Sequence, residues 1–146
     1  MTVLITGGTG KTSSPLAILL KQSGVSSILA SRSGSAPEGF SGCRFDWLDE
    51  STYGNPFKAA SDITAMYIVA PQTLDMLTPT KAFVEYALGK GVQRFVLLSA
   101  SSIECGGPAH GQIHEYLKSL DVEYGVLRRT FTRISQPIQR FPREPD

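Results

Sequence analysis

The opening of the chain places a glycine-rich turn between a short apolar run and a helical stretch. Residues 3–5 are Val-Leu-Ile, and the turn Thr-Gly-Gly-Thr-Gly-Lys-Thr-Ser follows at residues 6–13. A continuous apolar run of this kind predicts a strand buried on both faces, as in a parallel sheet. Residues 11–22 carry leucines at i, i+3 and i+4 and predict a helix that ends before Gly24. A strand, a tight turn and a helix in this order predict an α/β fold.

The rest of the chain repeats the alternation of short apolar runs and helical stretches. Further strands are predicted at residues 27–30, 43–46, 65–70, 95–98 and 123–127, and further helices near 57–60 and at 80–90 and 112–120. This alternation predicts a doubly wound parallel sheet of about six strands, the Rossmann layout. We expect a dinucleotide-binding domain over residues 1–128. Residues 129–146, with four arginines and three prolines, predict an irregular tail.

Composition excludes several classes of protein. The 146 residues suffice for one domain, and 41% hydrophobic against 18% charged residues predicts a packed core. A net charge of +1 predicts no nucleic-acid and no membrane partner. The start lacks the features of a signal peptide, which predicts a cytoplasmic protein. Cys43 and Cys105 have neither disulfide-framework nor metal-ligand spacing, so no metal is expected.

The glycine-rich turn lies where a dinucleotide fold binds the pyrophosphate through free backbone N–H groups. Gly7 can adopt the positive φ of the turn, and Gly10 removes a Cβ that would block the phosphates. Thr9, Lys11 and Thr12 complete the predicted cofactor-binding segment. The third glycine of the usual fingerprint is replaced by Ser13, which is small enough to keep helix and strand close. The alternative is a plain tight turn without a ligand.

A nucleoside-triphosphate loop is a competing interpretation of Gly10-Lys11-Thr12. That motif requires a glycine five positions before Gly10, where Ile5 stands within the predicted strand. The loop is therefore too short to wrap the phosphates, and a kinase or ATPase is excluded.

Arg32 follows the second predicted strand, 22 residues after Gly10. An NAD-specific site has an acidic residue near this point to bind the ribose 2′-hydroxyl, but no Asp or Glu precedes Glu38. An arginine flanked by Ser31 and Ser33 favours a 2′-phosphate instead. The sequence thus favours NADP(H), and the alternative is a solvated surface arginine.

Three later strand ends supply further candidates. Asp46 ends the third predicted strand, where it can reach the adenine edge or, alternatively, cap a helix. Ala70 and Pro71 close the fourth strand, where the backbone would lie against the nicotinamide ribose. Ser99, with Ser101 two residues later, ends the fifth strand, where a hydroxyl can face the reacting centre.

In combination, residues 7–12, 31–33, 45–47, 69–71 and 108–118 resemble the NmrA-like branch of the short-chain dehydrogenase/reductase superfamily, and within it the festuclavine/agroclavine dehydrogenases of fungal ergot alkaloid biosynthesis. The resemblance runs from residue 2 to about residue 128. It implies an NADP(H)-dependent oxidoreductase. Its implied partner is a small-molecule substrate, a cyclic iminium alkaloid that a reduced nicotinamide cofactor reduces by hydride transfer. The alternatives are a non-catalytic NmrA-like regulatory protein that binds dinucleotide and a non-functional remnant.

The chain departs from the pattern of the superfamily it resembles in the catalytic pair. Tyr86 and Lys90 have the Tyr-x-x-x-Lys spacing of many dehydrogenases in this superfamily, but they end the helix before the fifth strand, at the pole opposite the crevice. Four residues after Tyr116 stands Leu120, so no equivalent pair follows the fifth strand. An iminium carbon needs no proton donated to oxygen. His110 and Ser99 are therefore the catalytic candidates. His114 is a second titratable group that could tune the site, and the favoured alternative places it on an exposed helix face.

The second departure is at the end of the chain. Family members continue after the sixth strand with roughly as many residues again, beginning with a Pro-Thr-Trp-Phe-like segment. Here Arg129-Thr130-Phe131 and the arginine- and proline-rich tail follow instead. We expect a shortened product that lacks much of the substrate pocket and has little activity.

Overall fold

The computed structural model describes residues 1–7, 13–71, 73–100 and 110–129, with residues 99–100 and 128–129 described by their backbone. The described residues form six strands and four α-helices, and a helix separates all consecutive strands except β2 and β3: β1 Thr2–Thr6, α1 Ser13–Gln22, β2 Ser26–Ser31, β3 Ser41–Arg44, α2 Asn55–Ala59, β4 Ile63–Ile68, α3 Leu77–Gly89, β5 Arg94–Ala100, α4 His110–Ser119 and β6 Glu123–Arg129. A short 3₁₀ helix, Glu50–Thr52, precedes α2.

The six strands form one sheet in the order β3-β2-β1-β4-β5-β6, and every neighbouring pair is parallel. This is the doubly wound order with its switch point beside β1, so the predicted fold class is confirmed. At the switch point β1 is flanked by β2 on one side and by β4 on the other.

Side chains of β1 enter the core on both faces of the sheet. All five residues of β1 are buried. Ile5 packs in one apolar cluster with Leu16 of α1, whereas Leu4 packs in another with Phe83 of α3 and Ile113 of α4. Burial on both faces explains why the run is continuously apolar rather than alternating.

Three predicted boundaries are shifted for identifiable reasons. The third strand ends at Arg44 rather than at Asp46, because the chain turns there: the backbone N–H of Leu48 donates to the Asp46 carboxylate at 3.0 Å. The fourth strand ends at Ile68, two residues early. Helix α3 begins at Leu77, three residues early, where the Asp75 carboxylate accepts a hydrogen bond from the backbone N–H of Thr78 at 3.1 Å.

Within the described ranges, no helix has the length and apolar character required to cross a membrane.

Candidate functional site

The side chain of Thr6 joins the carboxyl ends of β1 and β4. Thr6 is fully buried, and its hydroxyl donates to the Tyr67 carbonyl at 2.9 Å while accepting from the backbone N–H of Val69 at 2.7 Å. One side chain therefore satisfies one backbone group of β4 and one of the residue directly after it, at the point where strand pairing stops. This arrangement fixes the two strands that border the switch point, where doubly wound proteins bind their ligands.

Helix α1 is held close to the end of β1 through Ser13. The Ser13 side chain is buried, and its hydroxyl donates to the Thr6 carbonyl at 3.1 Å. A serine at this position thus keeps helix and strand in close contact, as predicted from its small size.

Gly7 is required at the turn for two independent reasons. Its φ is +65°, in the left-handed region that favours glycine. A Cβ at this position would lie 3.1 Å from the Cβ of Val69 and 3.3 Å from its Cγ1. The predicted positive φ of Gly7 is confirmed, and its close approach to β4 was not anticipated. The predicted ligands Thr9, Gly10, Lys11 and Thr12 lie outside the described residues and stay predictions.

Arg32 comes directly after β2, whose last residue is Ser31, and its side chain is exposed. None of the ion pairs found between described residues involves Arg32. The turn that follows is held by Ser31, whose hydroxyl accepts from the backbone N–H of Gly34 at 3.1 Å, where φ is +79°. The Ser31 and Ser33 hydroxyls lie 3.4 Å apart. An accessible guanidinium beside hydroxyl groups can bind a phosphate.

A second cation, Arg44, lies at the same edge. In the β2–β3 register it stands opposite Ser31, and its side chain is exposed. Its guanidinium lies 3.9 Å from the Asp49 carboxylate, a long and solvent-exposed ion pair that contributes little. Sequence reasoning missed Arg44 because only the strand pairing shows that it stands beside Ser31.

Asp46 is partly buried and takes part in a turn. Its carboxylate accepts from the backbone N–H of Leu48, its own N–H donates to the Thr52 hydroxyl at 3.0 Å, and its carbonyl accepts from the N–H of Asp49 at 3.0 Å. The alternative of a helix cap is wrong for Asp46, since Asp49 caps the 3₁₀ helix. Contact of Asp46 with adenine stays a prediction.

The backbone after β4 is anchored by side chains rather than by a neighbouring strand. Besides the bond from Val69 to Thr6, the Val69 carbonyl accepts a hydrogen bond from the indole N–H of Trp47 at 3.2 Å. Ala70 and Pro71, the predicted neighbours of the nicotinamide ribose, are buried directly after this anchor. The predicted strand extends two residues beyond the observed end of β4, because hydrogen bonds from side chains replace strand pairing at Val69.

The two catalytic candidates belong to β5 and to α4, which follows it along the chain. Ser99 belongs to β5, and its backbone pairs with Arg128 of β6. His110 begins α4, and its Nδ1 atom is buried without a hydrogen-bond partner in the described part of the chain. Burial lowers the pKa of His110, because desolvation disfavours the charged imidazolium. The lowered pKa favours the neutral form of this histidine.

The remaining titratable candidates have structural surroundings. His114 is half-buried and packs against the ring of Tyr124, with centroids 5.9 Å apart, so the expected exposed face is wrong. Lys90 lies over the ring of Tyr86, 5.5 Å from its centroid, at the end of α3 that leads into β5. The Tyr86–Lys90 pair therefore lies at the pole opposite the crevice, as predicted.

No group of three His, Cys, Asp or Glu residues able to hold a metal occurs among the residues with described positions. Cys43 is buried, and burial raises the pKa of its thiol to about 11, so that thiol is unreactive near neutral pH.

Solved structures share this fold. A short-chain dehydrogenase/reductase superfamily protein from Agrobacterium tumefaciens, solved with bound NAD, superposes with a TM-score of 0.65 over 88% of this chain and 48% of its own, at 16% identity. At that identity the likeness shows the fold alone. No family model matches the chain.

Sequence relatives are much closer. Agroclavine dehydrogenase of Claviceps purpurea is 44% identical over 135 residues, which are 90% of this chain and 47% of that enzyme. Festuclavine synthase II of Penicillium roqueforti is 44% identical over 137 residues, covering 90% of this chain and 48% of that enzyme. The chain spans about half the length of these relatives. The resemblance predicted from the sequence is thus confirmed: over 90% of its length the chain is homologous to fungal agroclavine dehydrogenase and festuclavine synthase.

Proposed function

We propose that this chain binds NADP(H) and serves an oxidoreductase that reduces a clavine-type cyclic iminium in ergot alkaloid biosynthesis. The observation that carries the cofactor assignment is the turn at the end of β1, where Gly7 has a φ of +65° and a Cβ would lie 3.1 Å from the Cβ of Val69. A glycine-rich turn at a switch point is where backbone N–H groups meet a pyrophosphate. The relatives' names support the clavine substrate.

Arg32 supports NADP(H) over NAD(H). It provides an accessible cation directly after β2, and Arg44 adds a second one opposite Ser31. A 2′-phosphate on the adenosine ribose carries the charge that such cations bind.

The chemistry of an iminium fits the titratable groups near the crevice. A bound nicotinamide cofactor supplies the hydride. The iminium carbon is already electrophilic, so the absence of a Tyr-x-x-x-Lys pair on α4, where Leu120 stands four residues after Tyr116, does not prevent reduction. The lowered pKa of His110 favours the uncharged imidazole, which does not repel a cationic substrate. Gly7, Arg32 and the backbone at residues 69–71 then bind and orient the dinucleotide.

The proposal is tested by calorimetric titration of the purified chain with NADPH and NADH, followed by assay of NADPH oxidation with the cyclic iminium. We expect saturable NADPH binding, little oxidation by this chain, and substrate-dependent oxidation when a relative's C-terminal half is joined to it. Failure to bind either dinucleotide contradicts the cofactor assignment. Binding without turnover in the extended chain as well contradicts the oxidoreductase assignment and favours a dinucleotide-binding regulatory protein.

A pair of substitutions distinguishes this site from a lysine-centred triphosphate loop. Gly10→Val is expected to abolish NADPH binding, because a branched side chain intrudes where the pyrophosphate approaches. Lys11→Ala is expected to weaken binding by less than about tenfold, since backbone N–H groups make the contact. Circular dichroism checks that both variants fold. Equal losses in two folded variants would point back to a lysine-centred loop.

A further inference from the structure

Trp47 is the only tryptophan of the chain, and it crosses from the β3–β4 connection to the end of β4. Its indole N–H donates to the Val69 carbonyl at 3.2 Å. The ring is held edge-on by two aromatic neighbours, Phe45 and Phe83, with centroids 5.1 and 5.7 Å away. The donor is therefore held in a packed position, and the bond does not depend on a mobile side chain.

Three contacts at the switch point converge on Val69. Its N–H donates to Thr6, its carbonyl accepts from Trp47, and its side chain closes against Gly7. Two of these contacts come from adjacent residues at the end of β1, and the third comes from the β3–β4 connection. These contacts fix the backbone at Val69, from which the chain continues to Ala70 and Pro71. Of the three contacts, only the Trp47 bond comes from outside β1 and its turn.

The position of Val69 defines which half of a dinucleotide it meets. A dinucleotide lies across the switch point, with one half on each side of β1. Arg32, at the end of β2, marks the side of the phosphorylated adenosine. The end of β4 lies on the other side of β1, so it meets the nicotinamide half.

We propose that Trp47 is a positioning residue, which holds the backbone of residues 69–71 against the nicotinamide half of the bound dinucleotide. This inference rests on the proposed cofactor function. Trp47 does not touch the ligand and acts through the Val69 carbonyl. Without the indole N–H, that carbonyl loses its partner, and the Thr6 bond alone holds the backbone of Val69 by hydrogen bonding.

The test compares two ligands in one variant. Trp47→Phe keeps an aromatic ring but removes the donor. Calorimetry is expected to show about fivefold weaker NADPH binding, as for a lost hydrogen bond, while adenosine 2′,5′-bisphosphate, which lacks the nicotinamide half, binds within about twofold of the wild type. A general loss of stability would weaken both ligands equally. Should the wild type prefer NADH, NADH and ADP replace the two ligands.

The matched control is Thr2→Val at the other end of β1. The Thr2 hydroxyl donates to the Asp62 carboxylate at 2.7 Å, at the amino edge of the sheet. This variant also removes one side-chain hydrogen bond between β1 and the segment leading into β4. It is expected to leave the affinity for both ligands unchanged.

A second measurement needs no substitution at Trp47. A single tryptophan gives a single indole N–H resonance, and its hydrogen exchange is expected to be slower with NADPH than with adenosine 2′,5′-bisphosphate. Equal exchange with both ligands, unchanged NADPH affinity in Trp47→Phe, or equal losses for both ligands would each overturn the inference. A wild type that binds neither NADPH nor NADH overturns the proposed function itself.

Discussion

Replacing Arg32 with aspartate is expected to reverse the cofactor preference of this chain. The change removes a charge-assisted contact to the 2′-phosphate and places a carboxylate beside it, which is expected to weaken NADPH binding by about 3 kcal/mol, or roughly a hundredfold. The same carboxylate can accept hydrogen bonds from the ribose hydroxyls of NADH, whose affinity is expected to be kept or improved. Calorimetric dissociation constants for both dinucleotides measure the change.

Arg44 provides the matched control for this substitution. It is also an exposed arginine at the end of a strand, opposite Ser31, and it already faces the Asp49 carboxylate at 3.9 Å. Arg44→Asp is expected to reduce NADPH affinity less than Arg32→Asp, because Arg44 lies one strand further from the switch point. If Arg32→Asp keeps the wild-type preference while Arg44→Asp loses it, Arg44 binds the 2′-phosphate.

The sheet and its order could be predicted because each element carries a local pattern. The run at residues 3–5 is apolar throughout since both its faces are buried, and the helical spacing of the leucines in α1 indicates one packed face. Once strands and helices alternate, parallel pairing and right-handed crossovers leave few topologies. The positive φ of Gly7 was predictable for a similar reason, because a tight turn that joins a strand directly to a helix needs a residue able to adopt it.

The contacts that build the site could not be predicted in this way. The Thr6 hydroxyl bonds to Val69, 63 positions away, and the indole of Trp47 bonds to the same residue across 22 positions. No periodicity encodes a single side chain that bonds to a distant backbone group. These bonds also explain why β4 ends two residues earlier than predicted. The apolar pattern of residues 65–70 predicts a strand to its end, but side chains rather than a neighbouring strand bond to the backbone of Val69.

Gly7→Ala is expected to affect both folding and cofactor binding. A Cβ at φ +65° is strained, at about 1–2 kcal/mol. It would also lie 3.1 Å from the Cβ of Val69, which must then move. Val69 is held by Thr6 and Trp47, so its displacement disturbs both bonds at the switch point. We expect about 3 kcal/mol lower free energy of unfolding and at least about tenfold weaker NADPH binding.

Gly24→Ala separates the two causes. Gly24 has φ +79°, and a Cβ there would meet nothing within 4 Å, beyond the end of α1 and away from the crevice. This variant carries the backbone strain without the contact with Val69. It is expected to lower the free energy of unfolding by about 1 kcal/mol and to leave the NADPH affinity unchanged. Chemical denaturation and calorimetry on both variants measure the two effects. Equal effects of the two substitutions would mean that backbone strain alone explains why position 7 requires glycine. The close approach of Gly7 to Val69 would then have no effect on the cofactor site.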